Sequence, residues 1–161
     1  MARSGMILLL FGLAGRRCAL PAGAVREIVH MAELTRPPGM PSALDGVLMM
    51  GRQAVPVLRL DRLFGFPETP AALYTPIVLL NGRDPLGLLV DSVETVRTVP
   101  DEAVGRTAAE ETFNGCAEAV VTLPDGIAHL LAPSRLLLAH ERRRIAEFRS
   151  VAERRLAEVA G

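Results

Sequence analysis

Ile77-Val78-Leu79-Leu80-Asn81-Gly82-Arg83-Asp84-Pro85-Leu86-Gly87-Leu88-Leu89-Val90 sets two short apolar runs around a cluster of turn formers. Asn-Gly supplies backbone freedom and Asp-Pro a rigid corner, while the flanking runs are too short for helices, so the stretch reads as two adjacent antiparallel strands. The same grammar repeats outward from it. Runs at 6–12, 16–20, 25–30, 46–50, 54–58, 77–81, 86–90, 93–99, 118–123 and 127–131 lie between Pro, Gly or small polar residues. Pro124-Asp125-Gly126 is a second hairpin corner and Gly12-Leu13-Ala14-Gly15 a bend between the first two runs. The chain carries 12 prolines, and each would cost a helix interior about 3 kcal/mol. Before residue 133 only the Pro-free segment 101–123 could hold a long helix, and it contains Gly105 and Gly115. The chain is therefore expected to be mainly β, folded as barrels or a sandwich.

Leu34 to Ser42, with Pro37, Pro38, Gly39 and Pro41, reads as an extended surface loop, and 100–115 as a second long connection with a helical turn near Ala108 to Glu111. Residues 134–160 hold no Pro or Gly and are rich in Ala, Leu, Glu and Arg, which predicts one long C-terminal helix with Ser134 as its N-cap. Leu138, Ile145, Phe148, Ala152, Leu156 and Val159 form its apolar stripe. That stripe either packs on the chain's own domain or meets another helix distally. Val57 to Phe64 weakly echoes Leu130 to Leu137, both reading as a strand end that enters a helical turn, which hints at two similar subdomains.

The 161 residues suit one substantial core or two small subdomains. The 18 basic residues, all Arg, balance 18 acidic ones, so no net field draws the chain to nucleic acid or an acidic membrane. With no Trp and a single Tyr, a stacking platform for nucleic acid is unsupported too. Cys18 and Cys116 stand far apart with no CxxC or Cys/His cluster, so no metal site or disulfide framework is expected, and a cytoplasmic location fits. Arg3 and the apolar run Met6 to Ala14 resemble the start of a secretory signal. Arg16 and Arg17 follow at once, however, and no small-x-small cleavage pattern precedes them, so the run reads as a buried first strand. No nucleophile elbow, zinc motif, phosphate loop or isolated carboxylate pair is present, and the three histidines are scattered, so neither enzymatic activity nor a cofactor is expected.

Several stretches, in order, resemble the CheW-like family. Residues 18–30 are similar to its opening strand pair, with Val25, Glu27 and Ile28 on matching positions. Pro41 and Gly46 match the residues before its central strand, Val55 to Phe64 resembles its "vPvvdLrrlf", and Gly87 to Val96 is similar to its "G-l-x-V-D-x-V-x-x-V". The resemblance covers residues 6–138. It implies a CheW-like domain over 1–138, made of two small SH3-like five-stranded β-barrel subdomains at about 14–74 and 75–132 that share the first strand, followed by a long C-terminal α-helix at 134–160. The implied role is that of a non-enzymatic scaffold in chemosensory signalling, docking the regulatory domain of a CheA-type histidine kinase and the cytoplasmic tip of chemoreceptors. Val25, Glu27, Gly46, Leu48, Leu89 and Val90 are the matched positions expected near a receptor-facing groove between the barrels, with ordinary strand packing as the alternative.

The chain departs from the family pattern where its G-x-x-N-L-R-G turn should stand. Here Gly46 is followed by Val47-Leu48-Met49-Met50-Gly51-Arg52, so Met49 replaces the Asn, Gly51 the Arg and Arg52 the Gly. Arg52, shifted by one residue, is the candidate to present the missing guanidinium. Arg59 stands where the family has Asp. The competing reading is a CheW-like protein-binding module of a different signalling assembly, self-associating through its C-terminal helix.

Overall fold

The computed structural model describes all residues except 1–4, 31–32, 41–42, 69, 71, 83–84, 107–115, 137–148, 150 and 160–161. Among the described residues there are eleven strands: β1 (Gly5–Leu13), β2 (Arg16–Pro21), β3 (Val25–His30), β4 (Leu44–Met50), β5 (Gln53–Arg59), β6 (Pro76–Leu80), β7 (Leu86–Leu89), β8 (Ser92–Pro100), β9 (Val104–Arg106), β10 (Ala117–Leu123) and β11 (Gly126–Leu131). One helical turn, α1 (Leu60–Leu63), follows β5. Each of the ten apolar runs is a strand; β9 is the addition, lying in the segment expected to be a long connection. The expected turn at 108–111 lies outside the described residues.

The strands form two sheets, in the orders β8-β1-β2-β11-β10-β9 and β3-β6-β7-β5-β4. Neither ladder closes into a barrel among the described residues, and the strand counts are six and five rather than five and five. In the first sheet, a Coulombic contact instead of a ladder bridges β8 and the β10–β11 turn, where Arg97 Nη1 lies 3.3 Å from Asp125 Oδ1.

Side-chain alternation along the strands explains why two sheets suffice. On β1, Leu9, Phe11 and Leu13 enter the cluster between the sheets, while Leu8 and Leu10 enter a second cluster on the first sheet's other face. On β6, Val78 and Leu80 join the inter-sheet cluster while Ile77 and Leu79 face a third. Strands apolar on both faces read as continuous hydrophobic runs, and each fully buried Leu or Phe contributes about 1.5–3 kcal/mol.

The two sheets repeat one plan. Each has an edge strand, then a hairpin, then a parallel junction to a second hairpin: β3, β6–β7 and β5–β4 in one, and β8, β1–β2 and β11–β10 in the other. The parallel junctions are β5 with β7, at Val57 to Gly87, and β11 with β2, at His129 to Cys18. Along the chain this is a tandem repeat, β1–β5 and then β6–β11, whose first hairpins have been exchanged. Sheet membership therefore crosses residue 74, because β6 and β7 pair with strands that precede it. The echo noted between 57–64 and 130–137 falls on equivalent places, since β5 runs into α1 and β11 into a 3-10 turn at Pro133–Arg135.

The C-terminal element departs from the expectation at its start, while much of the expected helix, with Leu138, Ile145 and Phe148 of its stripe, lies outside the described residues. Ser134 lies inside the 3-10 turn, which Ala132 precedes without a side-chain cap, so Ser134 is not a helix N-cap. The segment is held to the sheet by Ala132 N–H donating to Cys116 O and by Cys116 Sγ, 2.7 Å from Arg135 O. Among the described residues, helix stands at 149 and over 151–159. There the stripe runs from Ala152, buried in the inter-sheet cluster, through half-buried Leu156 to Val159, which is 85% exposed. Glu153 Oε1 accepts the Ala54 N–H at 3.5 Å.

Candidate protein-binding surface

The matched positions all lie on the second sheet or at its exit, but they do not form one patch. Val25 and Glu27 sit on edge strand β3, whereas Gly46 and Leu48 sit on β4, the opposite edge. Glu27 is exposed beside a bulge that shifts the β3–β6 register between Val25 and Glu27, and Val25 is half-buried against the inter-sheet cluster. Leu48 and Leu89 are brought together, but in the third cluster, at 7% and 5% exposure. Val90 is buried between the sheets. These three are packing residues whose side chains offer little surface. Gly46 is there because backbone comes close: a Cβ would stand 2.7 Å from Leu34 Cβ and 3.1 Å from Thr35 O, where Thr35 and Val47 exchange two backbone hydrogen bonds.

The altered turn is a two-residue hairpin between Met50 and Gln53. Gly51 has φ 62° and Arg52 does not enter the left-handed region, as in a two-residue type II′ hairpin, which wants Gly at its first central position. Gly51 and Arg52 thus suit the turn that this chain forms. Arg52 is exposed at its tip.

Exposed apolar side chains, to which the sequence reading, though it named Ile28, gave no surface role, frame the inter-sheet cluster. Val96 of edge strand β8 is 57% exposed and pairs with Leu9; Ile28 of edge strand β3 is 40% exposed and pairs with Val78. Because cross-strand partners share a face and Leu9 and Val78 belong to the inter-sheet cluster, Val96 and Ile28 continue that apolar surface outward from both sheets. Ile7, 54% exposed, extends it along β1. Leu73 and Tyr74 project separately, Tyr74 meeting His30 edge to face at 6.1 Å between ring centroids.

Charge is concentrated in two places. Arg59, the residue standing for the family's Asp, is buried and makes a bidentate pair with Asp61, at 3.1 and 2.8 Å, with Asp45 3.5 Å away. Hydrogen bonding to Asp61 holds the guanidinium more firmly protonated than usual despite its burial. Arg36 reaches Asp45 at 3.3 Å and Arg62 reaches Glu68 at 2.6 Å, so the cluster runs from the core to the surface. An adjoining cavity of about 30 Å³ beside Leu89 and Val90 has room for a water molecule, not for a ligand. On the first sheet, Arg17, paired with Gly12 of β1, meets Glu94 at 2.8 Å and Asp125 at 3.1 Å. Arg17 and Arg97 hold the Asp125 carboxyl down to about 2.

Chemistry is sparse elsewhere. Burial pushes the Cys18 thiol up to about 12, away from the reactive thiolate, and burial also lowers the His129 pKa. Among the described residues no three His, Cys, Asp or Glu side chains gather as metal ligands, and no helix is long and apolar enough to cross a membrane.

Comparison with known proteins agrees with this architecture. The CheW-like domain family matches residues 8–141. The probable chemotaxis protein CheW of Rhizobium etli is 31% identical over 101 residues, covering 62% of this chain and 65% of that protein. The chemotaxis protein CheW of Bacillus subtilis is 26% identical over 103 residues, covering 63% and 66%. The matches thus span just under two thirds of either relative's length. In structure, the scaffolding protein TtCheW from Thermoanaerobacter tengcongensis superposes with a TM-score of 0.78 over 86% of this chain and 96% of its own, at 19% identity, and so shares the fold.

Proposed function

The chain belongs to the CheW-like domain family, and from that premise we propose that it is a non-enzymatic adaptor of bacterial chemosensory signalling, working in the cytoplasm to couple chemoreceptors to a CheA-type histidine kinase. Two of its relatives are named as chemotaxis proteins and one structural neighbour as a scaffolding protein. The single observation that carries the reading is the apolar surface that Ile28 and Val96 continue outward from the inter-sheet cluster. A monomeric domain gains nothing by leaving such residues on two edge strands, whereas a cleft with an apolar floor and charged rim suits a helical receptor tip at modest, roughly micromolar affinity. Val25 and Glu27 border this cleft on β3, and Arg52 presents a guanidinium from the β4–β5 turn as a separate polar contact. Each sheet, with the loops over its outer cluster, forms the wall of one barrel-like subdomain.

Binding of a receptor-tip fragment and of a CheA regulatory domain to the purified protein, with Ile28→Glu and Val96→Glu, tests the proposal. Both partners should bind wild type, and each substitution should weaken the receptor fragment at least tenfold, since a buried charge replaces an apolar contact. Absence of wild-type binding to either partner, or full receptor affinity in both variants, would overturn it. The exposed end of the C-terminal stripe favours one addition, self-association through Val159. Sedimentation of wild type against Val159→Glu tests that separately.

A further inference from the structure

The chain passes between the sheets twice among the described residues: at Ala22–Ala24, from β2 to β3, and at Val90 and Asp91, from β7 to β8. Each crossing is tied to the hairpin of the other repeat. At the first, Asn81, which follows β6, donates its backbone N–H to Ala24 O and its side-chain Nδ2 to Gly23 O, both at 2.9 Å. At the second, Asp91 Oδ2 accepts the N–H of Ala14, in the β1–β2 turn, at 2.8 Å, and Asp91 N–H donates to Gly12 O at 3.0 Å. The second tie needs the glycine of β1, because a Cβ at Gly12 would stand 2.7 Å from Ser92 Oγ. The two ties are thus reciprocal, each polar side chain joining a crossing to the hairpin exchanged into the other sheet. Immediately beyond them begin the edge strands, with Val25 opposite Leu80 and Ser92 opposite Gly12, that carry Ile28 and Val96.

We infer that Asn81 and Asp91 are positioning residues of the inter-sheet cleft, fixing the two crossings and so the spacing between the apolar edges that carry Ile28 and Val96. The functional arm of this inference rests on the cleft's proposed role as a receptor site. The geometric arm does not. Sheets joined by two short crossings and one apolar cluster have a rocking freedom that non-directional apolar contacts leave open. A directional hydrogen bond at each crossing removes it. A ligand that bridges both edges binds only the population with the right spacing, so loosening the ties raises the apparent Kd by the inverse of that fraction.

Spin labels at Arg26→Cys on β3 and Thr95→Cys on β8, both exposed sites, report the spacing, because the native Cys18 and Cys116 are buried. Pulsed dipolar spectroscopy should give one narrow distance distribution in the labelled parent. Asn81→Ala and Asp91→Ala should each broaden it and weaken the receptor-tip fragment about threefold to tenfold, leaving affinity for the kinase regulatory domain unchanged. Asp91→Asn, whose amide oxygen still accepts the Ala14 N–H, should restore the narrow distribution. Distances as narrow in both alanine variants as in the parent would overturn the inference, and so would equal loss of both partners alongside loss of cooperative unfolding. If Asp91→Ala fails to fold, the Asn81→Ala measurement decides alone. Broadened distances in a protein whose parent does not bind the receptor fragment would sustain the positioning role and reject the receptor assignment instead.

Discussion

Replacing Arg59 with Met removes the cation from the centre of the buried cluster while keeping much of its volume. Arg59, Asp45 and Asp61 are 7%, 7% and 3% exposed, and the Asp61 carboxylate meets the guanidinium through both oxygens. In the variant Asp61 keeps the backbone N–H of Arg62 at 2.7 Å, and Asp45 keeps Arg36. Two nearly buried carboxylates then face each other's surroundings without the shared cation. Breaking a buried pair on one side costs about 3–5 kcal/mol, and for a chain of this size that is a fall in Tm of roughly 6–20 °C. The pH dependence gives the mechanism away. Without its cation the buried Asp61 carboxylate is protonated more readily in the folded variant than beside Arg59, so the variant's deficit shrinks as pH falls. Urea unfolding of both proteins at pH 7 and pH 5 measures this, and Arg59→Met/Asp61→Leu, which removes both charges, should recover a large part of the loss. A deficit below about 1 kcal/mol at pH 7, the range of a solvated ion pair, or one that widens on acidification, would refute the reasoning.

Three further outcomes follow from local geometry. Ala14 has φ 51°, among the described residues the one positive φ outside glycine, and Ala14→Gly should raise stability by about 0.5–1 kcal/mol in urea unfolding, by relieving left-handed strain that outweighs glycine's entropy. Gly46→Ala should lose about 1–3 kcal/mol, because the new Cβ meets Leu34 Cβ and the Thr35 carbonyl at distances backbone cannot easily yield. Truncation after residue 154 should leave the unfolding midpoint nearly unchanged, whereas truncation after 150 removes Ala152 from the core and Glu153 from Ala54. The shorter chain should still unfold cooperatively as a β-rich protein by circular dichroism, but at a lower midpoint.

The strands were legible because most central ones bury both faces, so each left an apolar run bounded by breakers. β9 escaped for the opposite reason: Val104-Gly105-Arg106 is three residues with a central glycine and pairs only with Ala119 to Val121, which leaves no periodic trace. Which strands share a sheet was not legible. Alternation shows that Val57 and Leu58 face opposite ways, but nothing local tells that β5 adds in parallel to β7 or that β2 adds to β11. Nor could the sequence distinguish apolar positions that pack from those that protrude: Leu48 and Leu89 look like Ile28 and Val96, and only tertiary burial separates them. Arg59 was visible as a departure, and Asp61 two residues on was the available clue to its partner. Asp45 and Glu68, brought in from either side in the chain, were not.

The exchanged hairpins make the two repeats mutually indispensable. A chain ending before β6 would keep β3 with no neighbour and a β4–β5 hairpin beside it, since the strands that join them belong to the later repeat. The later repeat, alone, would lack β1 and β2 from the middle of its sheet. A nick at exposed Leu73 or Tyr74, between α1 and β6, would accordingly leave two fragments locked into each other's sheets, each completing what the other lacks. Such fragments should assemble from separate solutions into one native particle, while neither folds unaided. The cut chain would also retain both crossings, so a scaffold broken there could still present its cleft intact.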